Sequence, residues 1–249
     1  MALPALCCRA VRVSFVVPAY QAAPSVARVV SELREAARGV VHATEPAVLA
    51  VDDGSSDETG KRATDAGALV VRHDRNRGKG VALLTGFARA LELGAEAVVS
   101  VDADGQHLAS EAVRVALHEA PREALVLAVR DLARDGAPRA NRLSNGFSNL
   151  WLSWFAGRPL RDTQCGLRRY PLPETLNLRL AGSGYELEAE VILKAARAHW
   201  PLYELPVTVL YPVGAERISH FHSVRDPARI VARILTTVAT TRFQPKRPA

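Results

Sequence analysis

The chain has 249 residues, an apolar fraction of 48% and a charged fraction of 23%, as expected of a globular protein that buries a substantial core. Its net charge is +6 and its pI is about 9.6, so an anionic partner is expected: ligand phosphates, nucleic acid or an acidic membrane face. Three cysteines, two of them adjacent, exclude a disulfide framework and a zinc spacing, and favour a reducing, cytoplasmic setting.

Strands and helices alternate through the first half of the chain. Strands are predicted at 11–17, 48–51, 68–71, 98–101 and 125–129, with helices between them. Ser25 and Asp57 are expected to cap the first two helices. This alternation predicts an α/β fold with a mostly parallel sheet.

The second half has a looser pattern. Residues 130–142 contain four arginines and are predicted to form a mobile loop. The aromatic helix that follows is interpreted as core, and the alternative is that Trp151 and Trp154 are interfacial tryptophans that suit a lipid acceptor. A helix over 185–199 precedes a strand at 202–210, whose proline predicts an edge position. A basic amphipathic helix is predicted over 226–243; packing on the sheet is favoured, and contact with anionic lipid is the alternative. No signal peptide and no membrane-spanning segment are expected.

Two pairs of carboxylates follow predicted strands. Asp102 and Asp104 come directly after the apolar strand at 98–101, and Asp52 and Asp53 end an earlier strand. Ligands of open α/β sheets bind beyond the carboxyl ends of the strands, so both pairs are expected to face one crevice. Such an edge suits Mg²⁺ or Mn²⁺, held by carboxylates and substrate phosphates. Taken alone, the 102–104 pair fits an ordinary turn equally well.

A basic glycine loop lies between the two carboxylate pairs. Residues 76–80, which read Asn-Arg-Gly-Lys-Gly, open a predicted helix and form a natural anion site. Their spacing matches neither the P-loop nor the dinucleotide-binding fingerprint, and alone they would fit a surface loop. Combined with the carboxylates, they predict a pocket for a nucleoside diphosphate held through a metal ion.

Four motifs in this order resemble those of family 2 glycosyltransferases. They are PAYQ at 18–21, VDDGSSDET at 51–59, NRGKG at 76–80 and DADGQH at 102–107. The nearest subgroup resembles dolichyl- or polyprenyl-phosphate sugar transferases. The resemblance implies a GT-A fold, doubly wound with helices on both faces, and inverting transfer from a UDP- or GDP-sugar. It also implies a domain over 11–222, with a nucleotide-sugar half at 11–130 and an acceptor half at 131–222, before a basic helix and tail at 223–249.

The resemblance also implies roles for individual residues. Residues expected to contact the nucleotide sugar are Pro18, Tyr20, Asp53, Lys79, Asp102 and Ala103. Residues expected to hold the ion are Asp102, Asp104 and Gln106, with Asp104 as a catalytic residue. Residues that resemble positions near the phosphates and the acceptor are Arg130, Arg142, Ser144, Arg217, Ser219 and His220. The last of these departs from the lysine that the family has there, and Ala22 departs from a frequent glutamate.

A general base is needed only if the acceptor is a hydroxyl, because a lipid phosphate is already anionic. Asp162, in the sequence DTQCG, and Glu188 are the two candidate bases implied by the resemblance. For Glu186 and Glu188, favourable charge at a helix N-terminus is an equally good explanation.

The expected acceptor is a polyprenyl phosphate or another envelope glycan precursor, and peripheral contact at the inner face of the cytoplasmic membrane is one possibility. Two alternatives are a sugar-1-phosphate nucleotidyltransferase and a non-catalytic nucleotide-sugar-binding protein. The first should have a basic glycine-rich loop after strand one, where this chain has PAYQ, and the retained aspartates argue against the second. Nucleic acid is not an expected partner, since no binding motif accompanies the positive charge.

Overall fold

The computed structural model describes residues 11–39, 43–211 and 225–240. Within them the strands are β1 (Val13–Ala19), β2 (Ala43–Asp52), β3 (Leu69–Arg72), β4 (Ala97–Ser100), β5 (Leu125–Arg130), β6 (Arg168–Pro171) and β7 (Leu202–Val207). The helices are α1 (Val26–Ala37), α2 (Thr59–Asp65), α3 (Lys79–Glu92), α4 (Ala109–Ala116), α5 (Arg139–Ala156), α6 (Glu174–Asn177), α7 (Glu186–Arg197) and α8 (Arg225–Thr240). The apolar start of the chain, residues 1–10, lies outside the described part.

The seven strands form one sheet in the order β3-β2-β1-β4-β6-β5-β7. All neighbours are parallel except at β6, which runs antiparallel to both β4 and β5. The mostly parallel α/β sheet is therefore confirmed, and β7, which contains Pro206, lies at an edge as predicted. Strands from both halves of the chain share this sheet, while the predicted boundary at 222–223 lies outside the described residues.

Helices cover both faces of the sheet because successive strand residues point in opposite directions. Phe15 and Val17 pack with the apolar stripe of α1 and with α4. Val16, between them, packs with α3, α5 and α7 on the other face. These side chains are fully buried, and each large one contributes about 1.5–3 kcal/mol to stability. No described helix combines the length and apolar character needed to cross a bilayer.

Three local features differ from the sequence predictions. Helix α5 begins at Arg139, inside the segment predicted as a loop, and β6 was not predicted at all. The Ser25 hydroxyl does not cap α1; it donates instead to the carbonyl of Ala103 at 2.6 Å, which attaches α1 to the loop after β4. Asp57 does act at the start of α2, accepting the Thr59 N–H at 3.0 Å.

The interpretation of α5 as a core helix is wrong for one of its faces. Large apolar side chains at helical spacing are exposed there, with Trp154 78% exposed; they are Leu143, Phe147, Leu150, Trp151 and Trp154. Leu152 points the other way and is fully buried. The helix therefore has two apolar faces: one packs in the core and the other is exposed at the surface. We call the exposed set the α5 stripe.

Candidate functional site

Three neighbouring parallel strands, β2, β1 and β4, end side by side at one edge of the sheet. Ala19 pairs with Asp52 across β1 and β2, and Val16 pairs with Ser100 across β1 and β4. Just beyond β1, the Gln21 amide oxygen accepts the backbone N–H groups of the segment after β2, at 3.1 and 3.2 Å. The predicted crevice at the strand ends is therefore framed by segments that hydrogen-bond to each other.

Asp53 is buried and holds the basic glycine loop over this edge. Its carboxylate accepts the backbone N–H groups of Arg77 at 2.9 Å and Gly78 at 2.8 Å. His73 Nδ1 contacts the same carboxylate at 2.6 Å, and its other ring nitrogen meets the Thr85 hydroxyl at 3.0 Å. In the structure the Asp53 carboxylate therefore positions the 76–80 loop. The contact of Asp53 with a nucleoside stays a prediction. Pro18 and Tyr20, the other two predicted nucleoside contacts, are partly buried at the end of β1.

Lys79 connects the loop to the other carboxylates. Its ammonium lies 2.7 Å from Asp102 Oδ1 and 3.3 Å from Glu188 Oε2, and 5.4 Å from the centre of the Tyr185 ring. Burial alone would lower the pKa of Lys79, but the charges of Asp102 and Glu188 raise it above its ordinary value. Burial would raise the pKa of Asp102, but the neighbouring basic groups, Lys79 foremost among them, together lower it below its ordinary value. A permanently charged lysine therefore lies beside an ionised carboxylate at the end of β4.

The predicted ion ligands lie together in the short loop after β4. The Asp102 side chain is 28% exposed, Asp104 is exposed, and the Asp104 carboxylate accepts the Gln106 N–H at 2.9 Å. No group of three His, Cys, Asp or Glu side chains in the described part of the chain is arranged to hold a metal. Two carboxylates and an amide oxygen nevertheless fit Mg²⁺ or Mn²⁺, which commonly complete their shell with water and substrate phosphates.

His107 closes the inner side of this loop. It is buried, and its Nδ1 atom has no hydrogen-bond partner among the described residues. Burial lowers its pKa to about 4, against a smaller opposing effect of Asp102, so the imidazole is neutral near pH 7. The loop is fixed from outside by the Gln106 carbonyl, which accepts the Leu210 N–H at 2.9 Å. A neutral imidazole with a spare ring nitrogen therefore lies next to the carboxylate that is predicted to hold the ion.

Asp162 forms a buried ion pair with Arg130. The Arg130 Nε and Nη2 groups donate to its two carboxylate oxygens at 2.7 and 3.0 Å, and the Arg130 N–H adds a third bond at 3.1 Å. Burial would lower the pKa of Arg130, but the Asp162 hydrogen bonds raise it. Both oxygens of this fully buried carboxylate accept hydrogen bonds from Arg130, so Asp162 orients that arginine, and its role as a general base stays a prediction.

A basic cavity of about 680 Å³ opens beside this ion pair, at the ends of β5 and β7. Five arginines line it, namely Arg114, Arg130, Arg134, Arg142 and Arg161. Helix α5 adds Asn145 and Asn149, and the buried Asn145 Oδ1 has no hydrogen-bond partner among the described residues. Four of these arginines are paired with carboxylates, those of Glu111, Asp162, Asp135 and Glu204, and the lining also includes Asp131. Arg142 is the one arginine of the lining with no ion pair among the described residues. The cavity therefore offers guanidinium and amide groups, which are suited to a phosphate, but much of its positive charge is already neutralised.

Some of the predicted acceptor residues line the basic cavity and others do not. Arg130 and Arg142 both line the cavity. Ser144 is exposed and is not part of the lining; its hydroxyl accepts a bond from the Gln164 amide at 3.3 Å. The other three lie outside the described residues, namely Arg217, Ser219 and His220. Sequence reasoning missed Arg114 and Arg161, because they come from elements separated from each other by 47 positions in the chain and carry no motif.

The acidic side chains of α7 divide between two tasks. Glu188 points to Lys79, as described above, and is buried. Glu186 and Glu190 instead accept backbone N–H groups from the loop at 181–184. Arg168, fully buried on β6, donates to the carbonyls of Glu188 at 2.9 Å and of Thr163 at 2.8 Å. It ties α7 to the loop that contains Asp162.

Comparisons with known proteins agree with this geometry. The sequence model described as glycosyl transferase family 2 matches residues 14–172. The UDP-N-acetylglucosamine–dolichyl-phosphate N-acetylglucosaminyltransferase of Methanococcus voltae is 26% identical over 220 residues, 79% of this chain and 84% of that protein. The undecaprenyl-phosphate mannosyltransferase of Micrococcus luteus is 29% identical over 210 residues, 79% of this chain and 83% of that one.

A solved structure resembles the whole fold. The glucosyl-3-phosphoglycerate synthase from Mycobacterium tuberculosis, crystallised with Mn²⁺, UDP-glucose and phosphoglyceric acid, superposes with a TM-score of 0.68. The match covers 92% of this chain and 80% of that one at 18% sequence identity. At that identity the likeness establishes a shared fold, the GT-A arrangement expected from the four motifs.

Proposed function

The chain belongs to glycosyltransferase family 2, and from this membership we propose that it transfers a sugar from a UDP- or GDP-sugar to a polyprenyl phosphate. In this proposal the reaction inverts the configuration at the sugar carbon and uses a bound Mg²⁺ or Mn²⁺ ion. The observation that carries the proposal is the arginine-lined cavity beyond the ends of β5 and β7, in the same sheet whose β2 and β4 ends are followed by the aspartates. The acceptor named for the two relatives, a dolichyl or an undecaprenyl phosphate, has the chemistry that such a cavity would bind.

On the donor side, the diphosphate would lie against the 78–80 loop and the loop after β4. Lys79 would contribute a fixed positive charge there, because its ammonium is already held at this edge by Asp102. Asp102, Asp104 and Gln106 would hold the ion, which when bound neutralises charge that develops on the leaving diphosphate. The half-open environment of Asp102 and Asp104 leaves room for that complex.

On the acceptor side, the phosphate would enter the basic cavity and attack the sugar carbon in line with the leaving diphosphate. A phosphate oxygen is already anionic, so this reaction does not require a general base. Arg130 donates to Asp162 through its Nε and Nη2 groups, which leaves its Nη1 group outside that pair, and Arg130 is one of the residues that line the cavity. The same pair would orient Arg130 toward the acceptor phosphate.

The α5 stripe supports peripheral contact with a membrane that contains the lipid acceptor, at the inner face of the cytoplasmic membrane. The stripe and the cavity lie on the same helix, since α5 also contributes Arg142, Asn145 and Asn149 to the lining. Exposed tryptophans next to arginines are the side chains that rest at the interface of an anionic bilayer. In this orientation the lipid phosphate would meet the arginines while the polyprenyl chain stays in the bilayer.

The direct test is a transfer assay on the purified full chain. With Mn²⁺ and a panel of radiolabelled UDP- and GDP-sugars, we expect label to move to undecaprenyl phosphate in detergent, and not to undecaprenol, which lacks the phosphate. A third arm offers phosphoglyceric acid, the small phosphate named for the neighbouring fold. Transfer to that acceptor alone would replace the lipid by a soluble phosphate, and no transfer from any donor would contradict the proposal.

The membrane contact has its own prediction. Replacing Trp154 and Trp151 together by serine should weaken binding to vesicles of phosphatidylglycerol about tenfold or more, since each interfacial tryptophan contributes favourably to partitioning. The variant should stay folded, because Trp154 is 78% exposed and Trp151, which also stacks on Phe155, is 44% exposed. Leu117→Ser, an exposed apolar residue outside α5, is the matched control. Equal binding of both variants and the parent in a flotation assay would show that the α5 stripe is not the membrane contact.

A further inference from the structure

The basic glycine loop packs backbone to backbone against the loop at 181–184. A Cβ atom at Gly78 would lie 2.3 Å from the Ser183 carbonyl oxygen, and one at Gly80 would lie 2.8 Å from the Gly184 carbonyl oxygen. The Val81 N–H donates to the Ser183 carbonyl at 3.2 Å. No side chain fits between the two segments, so the position of the 78–80 loop depends directly on that of the 181–184 loop.

Buried carboxylates from α7 hold the 181–184 loop in place. Glu190 accepts the N–H groups of residues 181 and 182 at 3.1 and 2.8 Å, and Glu186 accepts those of residues 183 and 184 at 3.0 and 3.1 Å. Four successive backbone donors are thereby satisfied by two carboxylates. Burial would raise the pKa of Glu186, but these N–H bonds and Arg229 lower it, so this carboxylate is ionised.

The C-terminal helix α8 reaches the same loop through its arginines. Arg229 donates to the Ser183 hydroxyl at 2.8 Å and to Glu186 Oε1 at 3.0 Å. Arg233, one turn later, donates to the Ala181 carbonyl at 3.2 Å. A buried ionised carboxylate needs a counter-charge, and for Glu186 Arg229 supplies it from a separate helix. The chain of contacts therefore runs from α8 through the 181–184 loop to Lys79.

We propose that α8 is a working part of the enzyme: Arg229 is a positioning residue that acts through Ser183 and Glu186 to hold the 78–80 loop in the conformation that receives the donor diphosphate. That the 78–80 loop receives a donor diphosphate rests on the proposed function, whereas the coupling of α8 to this loop does not. Helix α8 packs on α7 and not, as predicted, on the sheet. In this proposal it has a second role besides that packing, and one of its basic residues is used inside the molecule.

The test compares three variants of the full chain. Arg229→Met removes the contact, Arg229→Lys keeps the charge, and Arg197→Met is the matched control, because Arg197 joins α7 to the far end of α8 through the carbonyls of Thr237 and Val238. We expect Arg229→Met to speed hydrogen exchange of the Val81 amide about tenfold, as the loss of a charge-assisted hydrogen bond allows. Arg229→Lys should recover part of the protection, and the Arg197 variant should stay within about twofold of the parent.

The second readout is the affinity for UDP and GDP with Mn²⁺, measured by calorimetry. We expect Arg229→Met to bind the nucleotide several-fold more weakly and the Arg197 variant to bind it like the parent. If the parent binds neither nucleotide, the proposed function fails, while the exchange result still decides the coupling. Equal exchange at Val81 in the Arg229→Met and Arg197→Met variants, whether fast or slow, would overturn the proposal, since α8 would then stabilise the fold without a specific link to the loop.

Discussion

Replacing Asp104 by alanine is expected to lower turnover by about a hundredfold or more while the protein stays folded. Asp104 is exposed and its carboxylate accepts the N–H of Gln106 in its own loop, so its removal opens no cavity in the core. What is lost is a predicted ion ligand at the end of β4. The measurements are kcat with Mn²⁺ and a nucleotide sugar, and the affinity for Mn²⁺ in the presence of UDP.

The control for this variant is Asp65→Ala, which removes an exposed carboxylate from α2 that pairs with Lys61. It should leave both kcat and Mn²⁺ affinity unchanged. Full turnover of the parent enzyme in metal-depleted buffer would show that the loop after β4 works without an ion, and the assigned role of Asp104 would then be wrong.

Replacing Asp162 by alanine is expected to cost about 3–5 kcal/mol of the free energy of unfolding, because it leaves the buried guanidinium of Arg130 without its partner. Urea unfolding, followed by circular dichroism, measures the loss. The double variant with Arg130→Met and Asp162→Leu should recover most of the stability but not the activity. The exposed pair of Lys61 and Asp65 sets the comparison, since breaking it should cost about 1 kcal/mol or less.

A further single variant separates the two roles considered for Asp162. The unfolding midpoint should fall for Asp162→Ala under either role, because the same two hydrogen bonds are lost. If Asp162 acts only by orienting Arg130, the Arg130→Met variant, which keeps the Asp162 carboxylate, should lose as much turnover as Asp162→Ala. A much smaller loss of turnover in Arg130→Met would restore the base hypothesis.

The strand ends of the donor half were predictable because their sequences combine a buried β-branched run with polar residues directly after it. This pattern correctly indicated β1, β2 and β4 and the edge at which Asp53 and Asp102 lie. The roles were less predictable than the positions. That the Asp53 carboxylate faces the backbone of the 76–80 loop is a matter of three-dimensional contact, which no local pattern contains.

Strand β6 could not be predicted from its sequence because two arginines begin it. Charged residues are rarely buried, yet Arg168 and Arg169 are. Backbone carbonyls accept most of their donors: Arg168 donates to Cys165 at 2.8 Å, and Arg169 to His118, just beyond the end of α4, at 2.8 Å. The Nε group of Arg169 has no hydrogen-bond partner among the described residues. The α5 stripe shows the opposite error. Its apolar side chains predict burial, but they are exposed in the described part of the chain.

Gly166 has a consequence for anyone who would change the acceptor of this enzyme by grafting loops from a relative. A methyl group at this position would lie 2.2 Å from Asp102 Oδ2, so the DTQCG segment touches the carboxylate assigned to the nucleotide-sugar half. The segment that contains Asp162 and the carboxylate proposed to hold the ion are thus in direct contact. A chimera that carries any other amino acid at 166 should fail with every acceptor, because the defect would arise at the donor.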